Sequence, residues 1–144
     1  MSDGVQAARQ TEAALLPTPG PRVGIEAMAG RWVKISDSLQ WIDSLDVAVD
    51  GDDLVVHTWG GSEPSPADWG TSRSGSVYAS SMKTGDAHGG GFVTRYELAG
   101  MDVEMQANLN LGLLVVATYV SFHAPAPFAD RFTREFFRRE EAAQ

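Results

Sequence analysis

The sequence predicts an all-β protein: an antiparallel up-and-down barrel of about eight strands, preceded by an N-terminal tail or short helix. From residue 30 onward, short segments alternate apolar and polar residues with a period of two, which is typical of strands with one wet face. Clusters of Gly, Asp and Pro separate these segments without helix-length patterns between them, so the strands connect locally and run antiparallel. Closure into a barrel removes the exposed edges of such a sheet.

The N-terminal residues differ in composition from the rest of the chain. The segment QAARQTEAALL is dominated by Ala and Leu and predicts a short helix, which ends at Pro17 because proline cannot continue it. The chain has 144 residues, of which 43% are hydrophobic, enough to bury one core. We therefore predict an N-terminal tail or flap, residues 1–29, and one β-barrel domain, residues 30–144.

Eight segments supply the predicted strands. The first two are RWVKIS and LDVAV, and a turn at residues 50–53 joins LDVAV to LVVHTW as a hairpin. A connection at residues 60–70 follows this hairpin. The remaining strands are GSVYASS, FVTRYELAG, MDVEMQANLNL, LLVVATYVSF and RFTREFFRR.

Two of these segments indicate which side faces the interior. In MDVEMQANL, Met101, Val103 and Met105 lie on one face and Glu104 lies on the other, so the apolar face is expected to point inward. LLVVATYV is apolar on both faces, so its outer face needs cover from the N-terminal segment or from a second subunit. A homodimer is one expected arrangement.

The charge balance argues against several kinds of partner. The chain has 11 Lys and Arg against 19 Asp and Glu, a formal net charge of −8, which repels nucleic acid and anionic membrane surfaces. The arginines of the last segment alternate with acidic residues, Glu135 among them, which predicts a solvated terminal element. Neither nucleic acid nor a membrane is an expected partner.

Residue types that hold metals are scarce. The chain has no cysteine, and its three histidines are isolated, without H-x-H or H-E-x-x-H spacing. We expect no metal site and no cofactor. No apolar run approaches the ~20 residues of a membrane-spanning helix, and the N-terminus lacks the features of a signal peptide. A cytoplasmic location is the expectation.

The segment HTWGGSEPSPADWG contains two Trp-Gly pairs. An indole buries a large apolar surface, so Trp59 and Trp69 are expected to pin a loop across the mouth of the barrel, stiffened by Pro64 and Pro66. Asp68 is expected to accept backbone N–H groups inside this loop. In the alternative interpretation, the loop forms one wall of a ligand entrance, where an indole face stacks on the ligand.

Two motifs carry a resemblance to known proteins. The motif Gly-x-Trp, residues 30–32, together with Arg138 at the end of the last strand, resembles the signature of lipocalin-like (calycin) barrels. That resemblance implies that Trp32 closes the base of the barrel and that Arg138 packs over it. The segment WGGSEPSPADWG resembles W-G-x-C-x-P-x-x-C-D-W-G, a signature of poorly characterised bacterial proteins with the same strand order. The matching positions are Trp59, Gly60, Pro64, Asp68, Trp69 and Gly70.

The second resemblance is not complete. Ser62 and Ala67 stand where that bacterial group has cysteines, and the likeness extends over residues 30–138. The missing cysteine pair implies a reducing compartment and a loop that is held by packing alone.

Candidate catalytic residues are His57, Tyr119 and His123. An imidazole such as that of His57 titrates near neutral pH, and Tyr119 and His123, on one face of a strand, could polarise a carbonyl by donating to it. The alternatives are an outward or hydrogen-bonded histidine and an aromatic core with a histidine at the strand end. The expected ligand-binding residues are Trp59, Trp69, Tyr78, Phe92, Tyr96 and Met105, and Trp59, Trp69, Tyr96 and Tyr119 are expected to border one cavity.

The predicted function is the binding of a hydrophobic small molecule in the barrel. A cavity poor in catalytic groups suits a cofactor-independent cyclase or isomerase of bacterial secondary metabolism, which acts through shape, exclusion of water and one or two hydrogen bonds. A non-catalytic carrier for the same kind of ligand is the alternative. A structural interaction module, with a barrel filled by its own side chains, is a third interpretation.

Overall fold

The computed structural model describes residues 25–35, 40–61, 67–74, 76–79 and 89–141. The helix predicted in the N-terminal tail, together with Ser62, Pro64 and Pro66, lies outside these residues. The described chain is almost entirely β. Its elements are a 3₁₀ helix (Glu26–Met28) and the strands β1 (Gly30–Lys34), β2 (Ile42–Asp50), β3 (Asp53–Gly60), β4 (Ala67–Ser74), β5 (Ser76–Ala79), β6 (Gly89–Leu98), β7 (Met101–Asn110), β8 (Leu113–Phe122) and β9 (Arg131–Arg139).

The strands form one antiparallel sheet in the order β4-β3-β2-β1-β9-β8-β7-β6-β5. The two edge strands, β4 and β5, are consecutive in the chain. β4 pairs with β3 and β5 pairs with β6, so together they connect the two edges of the sheet. Side chains bridge the junction, because Ser72 Oγ donates to the carbonyl of Arg95 and Ser74 Oγ donates to that of Val93, both at 2.6 Å. The predicted all-β, up-and-down fold is confirmed as a nearly closed antiparallel barrel.

One strand differs from the prediction. The sequence predicts a connection over residues 60–70, whereas the structure forms β4 from residue 67 and pairs it with β3 from Gly60↔Ala67 to Leu54↔Ser74. The sequence ADWGTSRS has no apolar alternation to indicate a strand. β4 is held in the sheet by its backbone hydrogen bonds to β3 and by the serine hydrogen bonds to β6, and not by apolar side chains.

The alternation predicted for β7 is confirmed. Val103, Met105 and Ala107 are buried, while Asp102 and Gln106 are exposed. The same two-residue period in β3 and β8 sends every second side chain into the barrel. The core packed inside is apolar and large, with Met28, Trp32, Ile42, Leu45, Leu54, Phe92, Met105, Leu114 and Phe137 among its fully buried members.

One end of the barrel, which we name the closed end, is sealed by Trp32. The indole is 1% exposed, and its Nε1 donates to the carbonyl of Met28 in the 3₁₀ helix at 3.0 Å. The guanidinium of Arg139 lies 4.4 Å from the ring centroid and donates to the carbonyl oxygens of Ala27 and Ala29. Gly30 has φ +136°, and a Cβ there would lie 2.5 Å from that guanidinium, so both the backbone and the space require glycine.

The assignment of Arg138 to this position is wrong by one residue. Phe137 is fully buried, so strand alternation directs Arg139 inward with it and leaves Arg138 exposed on the outer face. The predicted arrangement of an arginine over Trp32 exists, but Arg139 supplies it.

The opposite end, which we name the loop end, carries the connections β1–β2, β3–β4, β6–β7 and β8–β9. It is also where β3 and β4 are joined through the two Trp-Gly pairs. Among the described residues, no helix has the length and apolar character needed to cross a bilayer.

Candidate functional site

The structure divides the predicted site residues between the two surfaces of the barrel wall. Val56 and Thr58 are buried in β3, so His57 and Trp59 face outward. Tyr119 is 44% exposed for the same reason in β8. The expected common cavity of Trp59, Trp69, Tyr96 and Tyr119 is therefore not found in this arrangement. Trp69, Phe92, Tyr96 and Met105 belong to or pack against the core, whereas His57, Trp59, Tyr78, Tyr119 and His123 lie outside it.

Trp69 reaches the interior because of a β-bulge. The register passes from Thr58↔Gly70 to Trp59↔Asp68, so Trp69 is an extra residue with no partner in β3. A Cβ on Gly60 would lie 2.6 Å from Nε1 of this indole and 2.8 Å from Cε2. Glycine at position 60 therefore makes room for the second tryptophan, which explains why the first Trp is followed by Gly.

Three aromatic side chains form a wall at the loop end. The rings of Trp41 and Trp69 are 6.4 Å apart at 63°, and those of Trp69 and Tyr96 are 5.7 Å apart at 67°, both edge-on. The Tyr96 hydroxyl lies 2.7 Å from the carbonyl oxygen of Val56 and 3.0 Å from Thr58 Oγ1. Burial raises the pKa of Tyr96 to about 12, so the phenol stays protonated and ties β6 to β3.

Polar side chains continue from this wall around the inside of the barrel. Thr58 Oγ1 lies 3.9 Å from the sulfur of Met105, and Met105 is paired in register with Thr118. Thr118 is opposite Thr133, whose hydroxyl donates to Glu135 Oε1 at 3.3 Å. The contact between Thr58 and Met105 joins two sides of the barrel, and strand register places Thr118 and Thr133 next to it. We name the whole set the interior ring: Trp41, Thr58, Trp69, Tyr96, Met105, Thr118, Thr133 and Glu135.

Glu135 is the ionisable carboxyl of the interior ring. It is 8% exposed, and its Oε2 accepts the backbone N–H of Ile42 at 3.3 Å. Burial raises the pKa of Glu135, while backbone N–H groups of Ile42 and Trp41 oppose the rise. The prediction of a solvated terminal element is wrong at this position, because Glu135 shares the inward face of β9 with Phe137. That shared parity is visible in the sequence.

Two atoms of the interior ring lack partners. Among the described residues, the buried atoms Thr118 Oγ1 and Trp41 Nε1 have no hydrogen-bond partner. Thr118 is fully buried. Nearly all buried polar groups in native proteins are bonded, so these two atoms are exceptions among the described residues. Sequence analysis did not identify either residue, since a threonine in an apolar strand and a lone tryptophan are common core residues.

Several grooves run over the outer face of the described barrel, and two of them have volumes above 400 Å³. One of about 470 Å³ is lined by Arg95, Glu104 and Tyr119 among others, and the Arg95 guanidinium pairs with Glu104 across it at 2.8 Å. Another, of about 420 Å³, lies between Tyr78 and Ala117. Both are open to solvent and framed by charged, amide or small side chains, so they lack the apolar enclosure that a hydrophobic ligand requires.

A second cluster of predicted residues lies on the outer face near the loop end. His57 and Trp59 are stacked, with centroids 3.9 Å apart, and the Arg31 guanidinium lies 5.2 Å from the centroid of Trp59. His57 Nε2 is 2.6 Å from Asp68 Oδ1, which also accepts the N–H of Gly70 at 2.7 Å. The prediction that Asp68 accepts a backbone N–H is confirmed. This cluster fastens the start of β4 to β3.

Replacing Asp68 with asparagine is expected to make the free energy of unfolding depend less on pH. The Gly70 N–H and, secondarily, His57 hold the pKa of Asp68 below its ordinary value of 3.8. A lowered folded-state pKa contributes stability that is present above the unfolded value and is lost as pH falls through the folded value. Urea unfolding from neutral to acid pH should therefore show Asp68→Asn less stable than wild type near neutrality, with the difference shrinking below pH 3.8 and vanishing only below the lower pKa of the folded state.

The control for this prediction is Asp102→Asn, at the exposed pair of Asp102 and His123, whose atoms are 3.2 Å apart. Its effect should be smaller because that contact is longer. Equal curves for wild type and Asp68→Asn at every pH would show that the cluster does not fasten β4.

Comparison with family models, with curated proteins and with solved structures finds no match for this chain. Among the described residues, no group of three or more His, Asp or Glu side chains could hold a metal ion. Function is therefore inferred from the geometry of the interior ring.

Proposed function

We propose that this protein binds a hydrophobic small molecule at the loop end of its barrel, with the interior ring as the binding surface. The observation that carries this proposal is the pair of buried, unpartnered polar atoms on Thr118 and Trp41. Each such atom costs about 1–3 kcal/mol when it stays unpaired. A ligand that bonds to both recovers that energy on binding.

The aromatic wall supplies the apolar part of the proposed site. Trp41, Trp69 and Tyr96 present rings at steep angles to one another, which suits a flat or compact apolar ligand. A barrel of about eight strands is wide enough for one small ligand. The seal formed by Trp32 and Arg139 supports the resemblance to the calycin barrels, in which a tryptophan closes the base.

Catalysis as a cofactor-independent cyclase or isomerase of bacterial secondary metabolism is the second candidate. Glu135 favours it, because this carboxyl is buried in the interior ring and burial raises its pKa, as it does for carboxyl groups that act as general acids. In this candidate Glu135 is the acid, since His57, Tyr119 and His123 lie outside the core. A carrier for the same ligand would use the same contacts without turnover.

The outer face of β8 supports a homodimer as part of this proposal. The rings of Tyr119 and Phe132 are 5.1 Å apart, and the two side chains are 44% and 56% exposed. Exposed aromatic pairs on a sheet face are typical of surfaces that meet another protein.

The binding proposal is tested with phenylnaphthylamine, a neutral apolar dye whose fluorescence rises when it leaves water. We expect saturable binding with one site per chain. Trp69→Ala, which removes part of the aromatic wall, should weaken the affinity roughly 10-fold, a loss of about 1.4 kcal/mol.

Tyr119→Ala is the matched control, because that ring faces the outer groove. It should leave the affinity unchanged. Weakening by Tyr119→Ala with no effect of Trp69→Ala would place the dye outside and contradict the proposal, as would failure of wild type to bind.

A further inference from the structure

We propose that the ligand is uncharged and presents a carbonyl oxygen to hydrogen-bond donors of the interior ring. This inference rests on the proposed function and names the class of ligand. It follows from which groups of the ring are free to donate, which are already engaged, and which charges are absent.

The free polar groups are donors. Trp41 Nε1–H can only donate, so its partner on the ligand must be an acceptor. The Thr118 hydroxyl can donate to the same kind of atom. The Tyr96 hydroxyl is engaged, because it lies 2.7 Å from the carbonyl of Val56 and 3.0 Å from that of Gly70.

Glu135 lies beside these donors and accepts hydrogen bonds. Its two oxygens accept from the N–H of Ile42 and from the hydroxyl of Thr133, each at 3.3 Å. Burial raises the pKa of this carboxyl, and the hydrogen bonds that it accepts from the backbone of Ile42 and Trp41 and from Thr133 oppose the rise. Thr133 lies opposite Thr118 on the neighbouring strand, so the Glu135 carboxyl and the unpartnered hydroxyl belong to the same region of the barrel wall.

Charge rules out an anionic ligand. The interior ring contains no Lys, Arg or His, and the chain carries a net charge of −8. A carboxylate or phosphate would have to leave water for a site that offers no positive charge, which costs several kcal/mol. An ammonium group would suit the aromatic rings and an ionised Glu135, but it would leave the Trp41 donor without an acceptor. A neutral carbonyl oxygen, with its two lone pairs, can accept from both the Trp41 N–H and the Thr118 hydroxyl.

The test compares four naphthalene derivatives of similar size by calorimetry at neutral pH: a naphthyl methyl ketone, ethylnaphthalene, naphthoate and naphthylethylamine. The ketone should bind roughly 5- to 10-fold more tightly than the hydrocarbon, as one net hydrogen bond provides. Naphthoate and naphthylethylamine, both charged at that pH, should bind more weakly than the ketone.

Two pairs of variants separate donation from simple packing. Glu135→Gln removes the charge but keeps an oxygen that can accept the Ile42 N–H, so it should retain the preference for the ketone, whereas Glu135→Met leaves that N–H unpaired beside Trp41 and should reduce the preference. Thr118→Ser keeps the hydroxyl and should retain the preference, whereas Thr118→Val should reduce it several-fold. Thermal melting of each variant confirms that it is folded.

Each other outcome overturns the inference. Equal affinity for the ketone and the hydrocarbon would overturn it and leave the proposed function intact. Tightest binding of the amine, lost in Glu135→Gln, would show an ionised carboxylate that recognises a cation. If neither the ketone nor the hydrocarbon binds, the proposed function fails together with this inference.

Discussion

Replacing Trp32 with alanine is expected to lower the free energy of unfolding by about 3–5 kcal/mol. The side chain is fully buried at the closed end, so the change leaves a cavity among core residues. It also removes the donor to the Met28 carbonyl and the ring beneath the Arg139 guanidinium. A loss of this size is a large fraction of the total stability of a domain. Equilibrium unfolding in guanidinium chloride measures it.

Trp59→Ala is the matched control, since it removes the same side chain from the outer face. Its stacking on His57 is worth about 1 kcal/mol. If Trp59→Ala lowered the free energy of unfolding as much as Trp32→Ala does, or more, the closed end would not be where the structure places it.

Replacing Gly60 with alanine is expected to lower the free energy of unfolding by about 1–3 kcal/mol and to weaken dye binding. The new methyl group would lie within 2.6–2.9 Å of three atoms of the Trp69 indole, so the ring must move away from β3. Movement of Trp69 disturbs its contacts with Trp41 and Tyr96. Denaturant unfolding and dye titration measure the two effects.

A double-mutant cycle identifies the cause. In a Trp69→Ala background, Gly60→Ala should cost almost nothing, because the clashing ring is gone. Gly51→Ala, at a turn glycine with no atom near its Cβ position, should change stability through its positive φ but leave dye affinity unaltered. A cost of Gly60→Ala that persists without Trp69 would mean that the indole does not lie against β3.

Residue periodicity predicted the fold and the inward face of β7, because both depend on side-chain parity over many residues. Periodicity did not predict the orientation of a side chain where a local irregularity, such as a β-bulge, changes that parity. The bulge at Trp69 turns this residue inward while Trp59, ten positions earlier, points outward. The arginine that covers Trp32 was misplaced by one residue, which in a strand is the difference between inside and outside.

The site residues that sequence analysis missed are those whose role depends on partners. Glu135 looks like one more charge in an arginine-rich strand, and only its parity with Phe137 indicates burial. Thr118 matters because its hydroxyl has no partner among the residues that the structure describes, which no sequence pattern indicates. Composition and spacing describe which groups are present, whereas packing decides which of them remain free to bind a ligand.

The central claim is that the interior ring holds a hydrophobic small molecule with a neutral acceptor oxygen. Native mass spectrometry of the protein purified from its own host tests it most directly, followed by denaturation and analysis of whatever is released. We predict the mass of the chain plus one small molecule, and the released compound should be uncharged, apolar and carbonyl-bearing. A released ion or peptide would contradict the claim, and so would bare protein that also takes up no phenylnaphthylamine.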